Sequence, residues 1–131
     1  MKYSKDVERT LSQWDKEYKK GFTSYVILVL LKKQTMYGYE IKNKLGEFSN
    51  NSMTYQDSGI YQILKKLTSN KLLTFKVVNS DKGPPRKYYS ITKTGEKLVD
   101  KFTVKCVLPT NQALSDLIKD NYPDEFKAII E

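Results

Sequence analysis

The sequence predicts a mainly α-helical protein with one small β-hairpin, an α+β fold of the winged helix-turn-helix type. The first observation is the order of elements: three segments with helical apolar spacing precede two short runs rich in β-branched and aromatic residues, and another amphipathic segment follows. The second is that the excess positive charge lies in the same region as the two runs. A chain of 131 residues has room for one ordinary domain.

The N-terminal segment predicts an amphipathic helix from about Lys5 to Lys20. Its apolar residues recur at spacings of four, three and four, which places Val7, Leu11, Trp14 and Tyr18 in one stripe. Gly21 is expected to end the helix. Because one short domain does not need this stripe for its own core, we expect residues 1–21 to serve dimerisation and to pack with the C-terminal helices, partly those of a second chain.

Two more helices are expected before the basic region. Thr23 or Ser24 can cap a helix through Lys33 that is apolar nearly all round and is therefore the central core helix. A helix from about Tyr37 to Phe48 follows, with Ile41, Leu45 and Phe48 on its packing side. The polar stretch 49–52 is expected to be a loop.

The fourth helix is expected to start near Asp57 or Ser58, either of which can cap it, and to continue to about Asn70; it separates apolar from polar residues. Its apolar side carries Ile60, Ile63, Leu64 and Leu67, and its outer side carries Ser58, Gln62, Lys65, Lys66 and Ser69. The runs 73–79 and 87–92 are expected to pair as a hairpin around a turn-rich tip, 80–86. In a winged helix, the helix before the hairpin enters the major groove and the hairpin tip, or wing, follows the DNA backbone.

The C-terminal part is expected to be helical. Thr92 or Thr94 can cap a helix containing Leu98, Val99, Phe102 and Cys106, which Pro109 is expected to stop, and shorter helices follow over 111–121 and 124–130. Cys106 is expected to be a small buried hydrophobe. Dimerisation is assigned here to Phe102, Leu114, Leu117 and Ile118. We therefore expect three segments: an N-terminal dimerisation helix (1–21), a winged-helix DNA-binding domain (22–93) and C-terminal dimerisation helices (94–131).

The net charge of +8 belongs to one contiguous third of the sequence. Between Ile60 and Lys105 there are eleven lysines and arginines and three acidic residues, whereas the rest of the chain is neutral. A localised positive surface favours a polyanionic partner, because each cation that neutralises a phosphate releases counterions. We therefore expect double-stranded DNA as the partner.

Composition argues against several other classes. The chain has no histidine and one cysteine, which removes most hydrolase triads, the usual zinc sites and any internal disulfide. It has no glycine-rich phosphate loop, and its longest apolar run, 25–31, is too short to cross a bilayer. We therefore expect a soluble cytoplasmic protein that is not an enzyme and uses no cofactor or metal.

The candidate DNA-contacting residues lie before and along the fourth helix and at the wing. They are Tyr55, Gln56, Ser58, Tyr61, Gln62, Lys65, Lys66, Lys82, Arg86 and Lys87. We expect Ser58, Gln62 and Lys65 to face base edges, and Tyr61 and Lys66 to lie nearer the sugar-phosphate backbone. Arg86 is the principal phosphate contact, since a guanidinium can hold a phosphate through two hydrogen bonds.

Three motifs resemble the PadR family of bacterial and archaeal transcriptional regulators. Residues 37–41 (YGYEI) are similar to its signature on the second core helix, 58–67 to its recognition helix, and 83–95 (GPPRKYYSITKTG) to its wing and following turn. Tyr37 stands where the family usually has histidine, Gln62 where it commonly has proline and Lys71 where it usually has glycine. The resemblance implies a homodimeric repressor that occupies an operator and is often relieved by a small phenolic or drug-like effector.

Two other functions use the same elements. A plasmid or phage segregation adaptor with a winged-helix fold would coat centromere repeats through the same basic helix and wing. A winged helix used only for protein contacts would show no salt-dependent binding to duplex DNA.

Overall fold

The computed structural model describes the backbone of residues 5–130 and the side chains of residues 5–129. The elements in this range are α1 (Lys5–Leu31), β1 (Met36–Tyr37), α2 (Gly38–Phe48), α3 (Asp57–Ser69), β2 (Leu73–Val78), β3 (Arg86–Ile91), α4 (Lys93–Phe102), a π-helical turn (Thr103–Val107), α5 (Leu108–Asn121) and α6 (Pro123–Ile130). The chain divides into two compact units, Met1–Glu96 and Lys97–Glu131. The mainly α-helical fold with a small antiparallel sheet is confirmed.

Helix α1 continues through Gly21, so the expected helix end at this residue is wrong. A glycine inside a helix costs only about 1 kcal/mol relative to alanine, whereas each apolar side chain that becomes fully buried contributes about 1.5–3 kcal/mol. Thr23 does not cap a new helix, because its hydroxyl donates to the Lys19 carbonyl at 2.9 Å within the same helix. Burial of Ile27 and Leu31 further along therefore outweighs the local preference of Gly21.

The core of the first unit is formed by one face each of α1, α2 and α3. Its most deeply buried apolar residues, each at most 1% exposed, are Ile27, Ile41, Leu45, Ile60 and Leu64. Phe48, which was expected on the packing side of α2, is 59% exposed, so that prediction is wrong. Phe48 is the last residue of α2, and helical spacing does not show how far the neighbouring elements extend along it.

The wing hairpin forms as predicted, and a short third strand joins it. Strands β2 and β3 pair antiparallel with Leu73 opposite Ile91, and β1 adds to the other edge of β3 with Tyr37 opposite Tyr88. The two-residue strand β1 lies directly before α2, so the sheet attaches the wing to the helical core. No periodicity indicates β1, because two residues are too few to show alternation.

A Schellman motif ends α3 and leads into the sheet. The backbone N–H groups of Lys71 and Leu72 donate to the carbonyls of Thr68 and Leu67, both at 3.0 Å. Lys71 adopts a left-handed conformation with φ of 63°. This lysine therefore takes the backbone conformation for which glycine is the usual residue.

Thr92 begins α4, as one of the two predicted caps. Its hydroxyl oxygen accepts a hydrogen bond from the Gly95 N–H at 3.0 Å and also lies 2.8 Å from the Lys71 carbonyl oxygen. A Cβ on Gly95 would lie 2.4 Å from the Leu72 carbonyl oxygen, so only glycine fits this approach. The cap therefore ties the start of α4 to the end of α3.

In the second unit, Pro109 does not stop the helix, so that expectation is wrong. The Leu108 N–H donates to the Thr103 carbonyl five residues earlier, and Pro109 lies in the first turn of α5, where its missing N–H is tolerated. Cys106 is exposed, not buried. A π-helical turn holds more residues than an α-helical turn, so it rotates the side chains away from the positions that α-helical spacing assigns.

None of the helices in the described range combines the length and the apolar character that crossing a lipid bilayer requires.

Candidate nucleic-acid interface

The outer face of α3 is polar, basic and exposed, as the periodicity predicts. Ile60, Leu64 and Leu67 are buried, and the exposed residues of the helix include Ser58, Gln62, Lys65, Lys66 and Ser69. The helix begins one residue after Gln56, so Asp57 and Ser58 lie in its first turn and neither is the cap residue. The exposed face therefore offers hydrogen-bonding and cationic groups along the length of the helix.

Two contacts fix α3 against α2. The Lys42 Nζ lies 2.8 Å from an Asp57 carboxylate oxygen at the start of α3. Gly38 leaves room for Tyr61, because a Cβ at Gly38 would lie only 2.7 Å from Cε1 of the tyrosine ring. Tyr61 is half exposed. Its ring thus packs on the start of α2 while one side remains free to meet a ligand.

The wing tip is a constrained turn. Gly83 has φ of 120°, a conformation that L side chains rarely adopt, and Pro84 and Pro85 follow it with fixed φ. The Ser80 hydroxyl accepts the Lys82 N–H at 3.3 Å. The tip is therefore preorganised on both sides of Gly83.

Both cations at the start of β3 lie over aromatic rings. The Arg86 guanidinium carbon is 4.6 Å from the centroid of the Tyr37 ring, and the Lys87 Nζ is 4.5 Å from that of Phe75. Such cation–π contacts restrict long side chains without neutralising their charge. Within residues 5–129 no ion pair joins Arg86 to Asp81. Arg86 is therefore held in place with its charge still available to an anion.

A groove of about 1020 Å³ runs between α3 and the wing; we call it the wing-side groove. Of the ten candidate DNA-contacting residues, it brings together Tyr61, Lys65, Lys82, Arg86 and Lys87. Four aromatic side chains that sequence reasoning did not select also line it, namely Tyr37, Tyr39, Phe75 and Tyr89. Burial raises the pKa of Tyr89 and the neighbouring Tyr61 raises it further, so this phenol stays neutral beside the lysines.

The strand register carries a signal for one of the missed aromatic residues, Phe75. Lys87 lies opposite Val77, and Phe75 is two residues from Val77 on the same face, so Lys87 and Phe75 form a diagonal cross-strand pair. The hairpin alone would have indicated this pair once its register was fixed. Tyr37 could not be found in this way, because its strand was not predicted.

The other five candidates lie elsewhere on and before α3. Ser58 and Gln62 are exposed on its outer face, and Gln56 is exposed directly before it. Tyr55 and Lys66 line a second groove, of about 530 Å³, between α3 and α1. The Tyr55 hydroxyl is hydrogen-bonded to Thr23 Oγ1 of α1. The candidates are thus distributed over both flanks of α3.

The residues assigned to dimerisation are largely exposed within their own units. On α1, Val7, Leu11, Trp14 and Tyr18 are each about half exposed or more. In the second unit the exposed apolar residues include Phe102, Leu114 and Leu117, whereas Ile118 is partly buried. Exposed apolar stripes of this size are typical of surfaces that a partner covers.

A basic helix packed beside a three-stranded sheet with a constrained hairpin defines the class of winged-helix proteins. Within that class the chain belongs to the PadR-like family of transcriptional regulators, whose family model matches residues 27–101. The resemblance of the three motifs is thereby confirmed. Members of this family are regulators and not enzymes, as the composition indicates for this chain.

Similar proteins support the assignment. The negative transcriptional regulator PadR of Bacillus subtilis is 29% identical over 102 residues, 75% of this chain and 51% of that protein. The solved structure of a PadR-like transcription factor from Bacteroides fragilis has 28% identity and a TM-score of 0.66, covering 80% of this chain and 98% of the other.

The structure of B. subtilis PadR in complex with operator DNA has 26% identity and a TM-score of 0.57, covering 75% of this chain and 66% of the other. In sequence, the present chain spans about half the length of B. subtilis PadR.

Proposed function

We propose that this protein is a transcriptional regulator that binds specific double-stranded DNA sites as a homodimer and represses transcription. The family supplies the regulatory class. B. subtilis PadR is a negative regulator, and its structure has been solved with operator DNA. The observation that carries the proposal is the wing-side groove, where Arg86 and Lys87 are held over aromatic rings beside the exposed face of α3.

The residues of α3 and the wing have different roles in this proposal. Ser58, Gln62 and Lys65 face base edges in the major groove, where glutamine pairs with adenine and lysine with guanine. Arg86 contacts a phosphate, so it adds affinity without reading sequence directly. Replacing Gln62 and replacing Arg86 should therefore change different measured quantities.

Selection of bound duplexes from genomic fragments, followed by sequencing, tests the function directly. We expect an enriched site with two-fold symmetry upstream of a gene, because a symmetric dimer reads two half-sites. Enrichment of iterated repeats beside a filament or ATPase gene would instead identify a segregation adaptor. Absence of salt-dependent duplex binding would contradict both roles and leave a protein-contact module.

Titrations of the selected duplex and a random duplex at several salt concentrations separate the two roles. Gln62→Ala should cost about 1–3 kcal/mol on the selected site and relax preference at one position. Arg86→Ala should weaken both duplexes by similar factors and lower the slope of log affinity against log salt by about one unit. Lys119 is an exposed charge on α5, so Lys119→Ala is the control and should leave the slope unchanged.

The homodimer rests on the exposed stripe of α1 and the exposed apolar residues of α4 and α5. We propose that a second copy covers them, with residues 1–21 and 94–131 as dimerisation segments on either side of the DNA-binding region 22–93. Sedimentation of the purified protein measures this. A persistent monomer at micromolar concentration would contradict it.

A small aromatic effector is a further expectation that rests on the resemblance alone. Action in the cytoplasm is a separate expectation, which rests on the short apolar runs of the sequence. Trp14 is the chain's one tryptophan and lies in the stripe assigned to dimerisation, so its fluorescence reports on that surface. Titration with phenolic and drug-like compounds should change this fluorescence and lower the affinity for the selected duplex. A compound that changes neither quantity is not the effector, and failure of a broad set contradicts the expectation.

A further inference from the structure

The groove between α1 and α3 is positively charged; we call it the α1-side groove. The apolar stripe of α1, on which its role was predicted, does not indicate this charge. It is lined on α1 by Lys16, Lys19, Lys20, Thr23 and Ser24, on the preceding loop by residues 52–55, and on α3 by Ile63 and Lys66. Asp15 also lines it. The lining of this groove, whose volume is about 530 Å³, therefore includes four lysines and one carboxylate.

The single carboxylate is already neutralised. The Lys19 Nζ lies 3.0 Å from an Asp15 carboxylate oxygen, one helical turn away. In the described part of the chain no ion pair involves Lys16, Lys20 or Lys66. Three cations thus remain available to an external anion, and the hydroxyls of Ser24, Ser52 and Thr54 can add hydrogen bonds, as such groups do with phosphates.

The position of these lysines on α1 separates them from the stripe assigned to dimerisation. At 100° per residue, Lys16 and Lys20 lie about 180° around the helix from the middle of the Val7, Leu11, Trp14 and Tyr18 stripe. They continue the face that carries Thr23 and Ile27, which enters the core one to two turns later. A partner chain on the stripe therefore leaves the lysines accessible.

The loop that faces these lysines is fixed to α1. Tyr55, just before α3, shares a hydrogen bond with Thr23 Oγ1, and Thr23 also donates to the Lys19 carbonyl. This connection holds the start of α3 beside the part of α1 that carries Lys19. The geometry of the groove is thus set by the fold and does not depend on the lysine side chains.

Consecutive residues of α3 face the two grooves, because Lys65 lines the wing-side groove and Lys66 lines the α1-side groove. A helix in the major groove of a duplex has one phosphate backbone on each flank, about 12 Å apart. We propose that Lys16 and Lys20 of α1, together with Lys66, hold the phosphate backbone on the flank opposite the wing. This assignment rests on the proposed DNA-binding function and extends it to a helix that the sequence assigned only to dimerisation.

The test compares two double variants with the same loss of charge. Lys16→Ala/Lys20→Ala removes the proposed contacts, and Lys33→Ala/Lys119→Ala removes two exposed lysines that line neither groove. Each is titrated with the selected duplex and a random duplex at several salt concentrations. For the first variant we expect a similar loss of affinity for both duplexes, and the slope of log affinity against log salt should fall by about two units. The control variant should have a slope close to that of the wild type.

Lys16→Arg/Lys20→Arg should retain the wild-type slope, which separates lost charge from disturbed folding. Sedimentation should show that all variants keep the oligomeric state of the wild type. An unchanged slope for Lys16→Ala/Lys20→Ala, measured beside a reduced slope for Arg86→Ala, would overturn this assignment while leaving the proposed function standing. If the wild-type protein showed no salt-dependent binding, the proposed function and this extension would both fail.

Discussion

The two halves of α1 form one unbroken helix, yet they differ in the burial of their apolar side chains. After Gly21 the helix buries Thr23, Val26, Ile27, Leu28 and Leu31. Before Gly21 the apolar stripe of Val7, Leu11, Trp14 and Tyr18 remains exposed, with Trp14 at 68%. Apolar residues that share a helix face are thus buried in one half of α1 and exposed in the other.

The difference shows what helical periodicity determines and what it leaves open. Periodicity fixes which side chains share a face, but a face is buried only where another element lies against it. The second half of α1 packs against α2 and β3, and in the homodimer that we propose a second chain covers the first half. Substitutions in the two halves should therefore have different effects on folding and on dimerisation.

Ile27→Ala should produce the largest effect. Ile27 has no exposed surface, so truncation leaves a cavity in the core and should lower the free energy of unfolding by about 2–5 kcal/mol. Chemical denaturation at several protein concentrations measures this loss, which should not depend on concentration. A loss below about 1 kcal/mol would show that the second half of α1 is not part of the core.

Trp14→Glu should break the dimer and leave the fold intact. A carboxylate in the centre of the stripe must be desolvated when the partner covers it. We therefore expect the dissociation constant of the dimer to rise about 100-fold, roughly 2.7 kcal/mol. Sedimentation measures this change, and circular dichroism checks the helix content. Ser12→Glu adds the same charge off the stripe and should have little effect. Equal dissociation of both variants would contradict the assignment of the stripe.

Thr23→Val tests the contact that joins the second half of α1 to the loop before α3. The substitution keeps the shape of the side chain but removes the hydrogen bonds to the Tyr55 hydroxyl and the Lys19 carbonyl, which should lower stability by about 1–2 kcal/mol. Thr10→Val, on the exposed first half, should change stability by less than about 0.5 kcal/mol. Thermal unfolding of the two variants measures the contrast, and an equal response would show that the bond contributes nothing.

Gly21→Ala should give the smallest effect and the opposite sign. Alanine fits without contact within 4 Å and restricts the unfolded chain, so the free energy of unfolding should rise by about 0.5–1 kcal/mol. Gly38→Ala is the matched substitution at a crowded glycine and should destabilise, because its Cβ would lie 2.7 Å from the Tyr61 ring. A destabilising Gly21→Ala would show that α1 needs flexibility between its halves.

Much of the candidate site could be predicted from the sequence, because it depends on local patterns. The split of α3 into a buried face with Ile60 and Leu64 and an outer face with Gln62 and Lys65 follows from helical spacing alone. The wing follows from two β-rich runs around Gly83, Pro84 and Pro85, and Arg86 and Lys87 follow from their place beside that turn.

The remaining parts of the site join residues that are distant in the chain. Tyr37 lies under Arg86 because β1 pairs with β3, and Lys16 and Lys20 face Lys66 because α1 passes beside α3. The net charge of the sequence did not indicate these two lysines, because acidic residues nearby in the sequence balance them. Helical spacing already allows Asp15 to pair with Lys19, but only the fold shows that Lys16 and Lys20 lie beside Lys66.

Local sequence patterns predict the class of fold, the hairpin and the basic flank of α3, because each depends on short-range periodicity and turn chemistry. Tertiary structure decided where those patterns yield to packing. Gly21 lies inside a helix because the core holds the turns after it, Phe48 is exposed because α2 ends there, and Cys106 is exposed where a π-helical turn shifts the spacing. Of the three, Gly21 is the case in which packing outweighs a local preference, one of about 1 kcal/mol; the exposure of Phe48 and Cys106 follows from the geometry of their own helices.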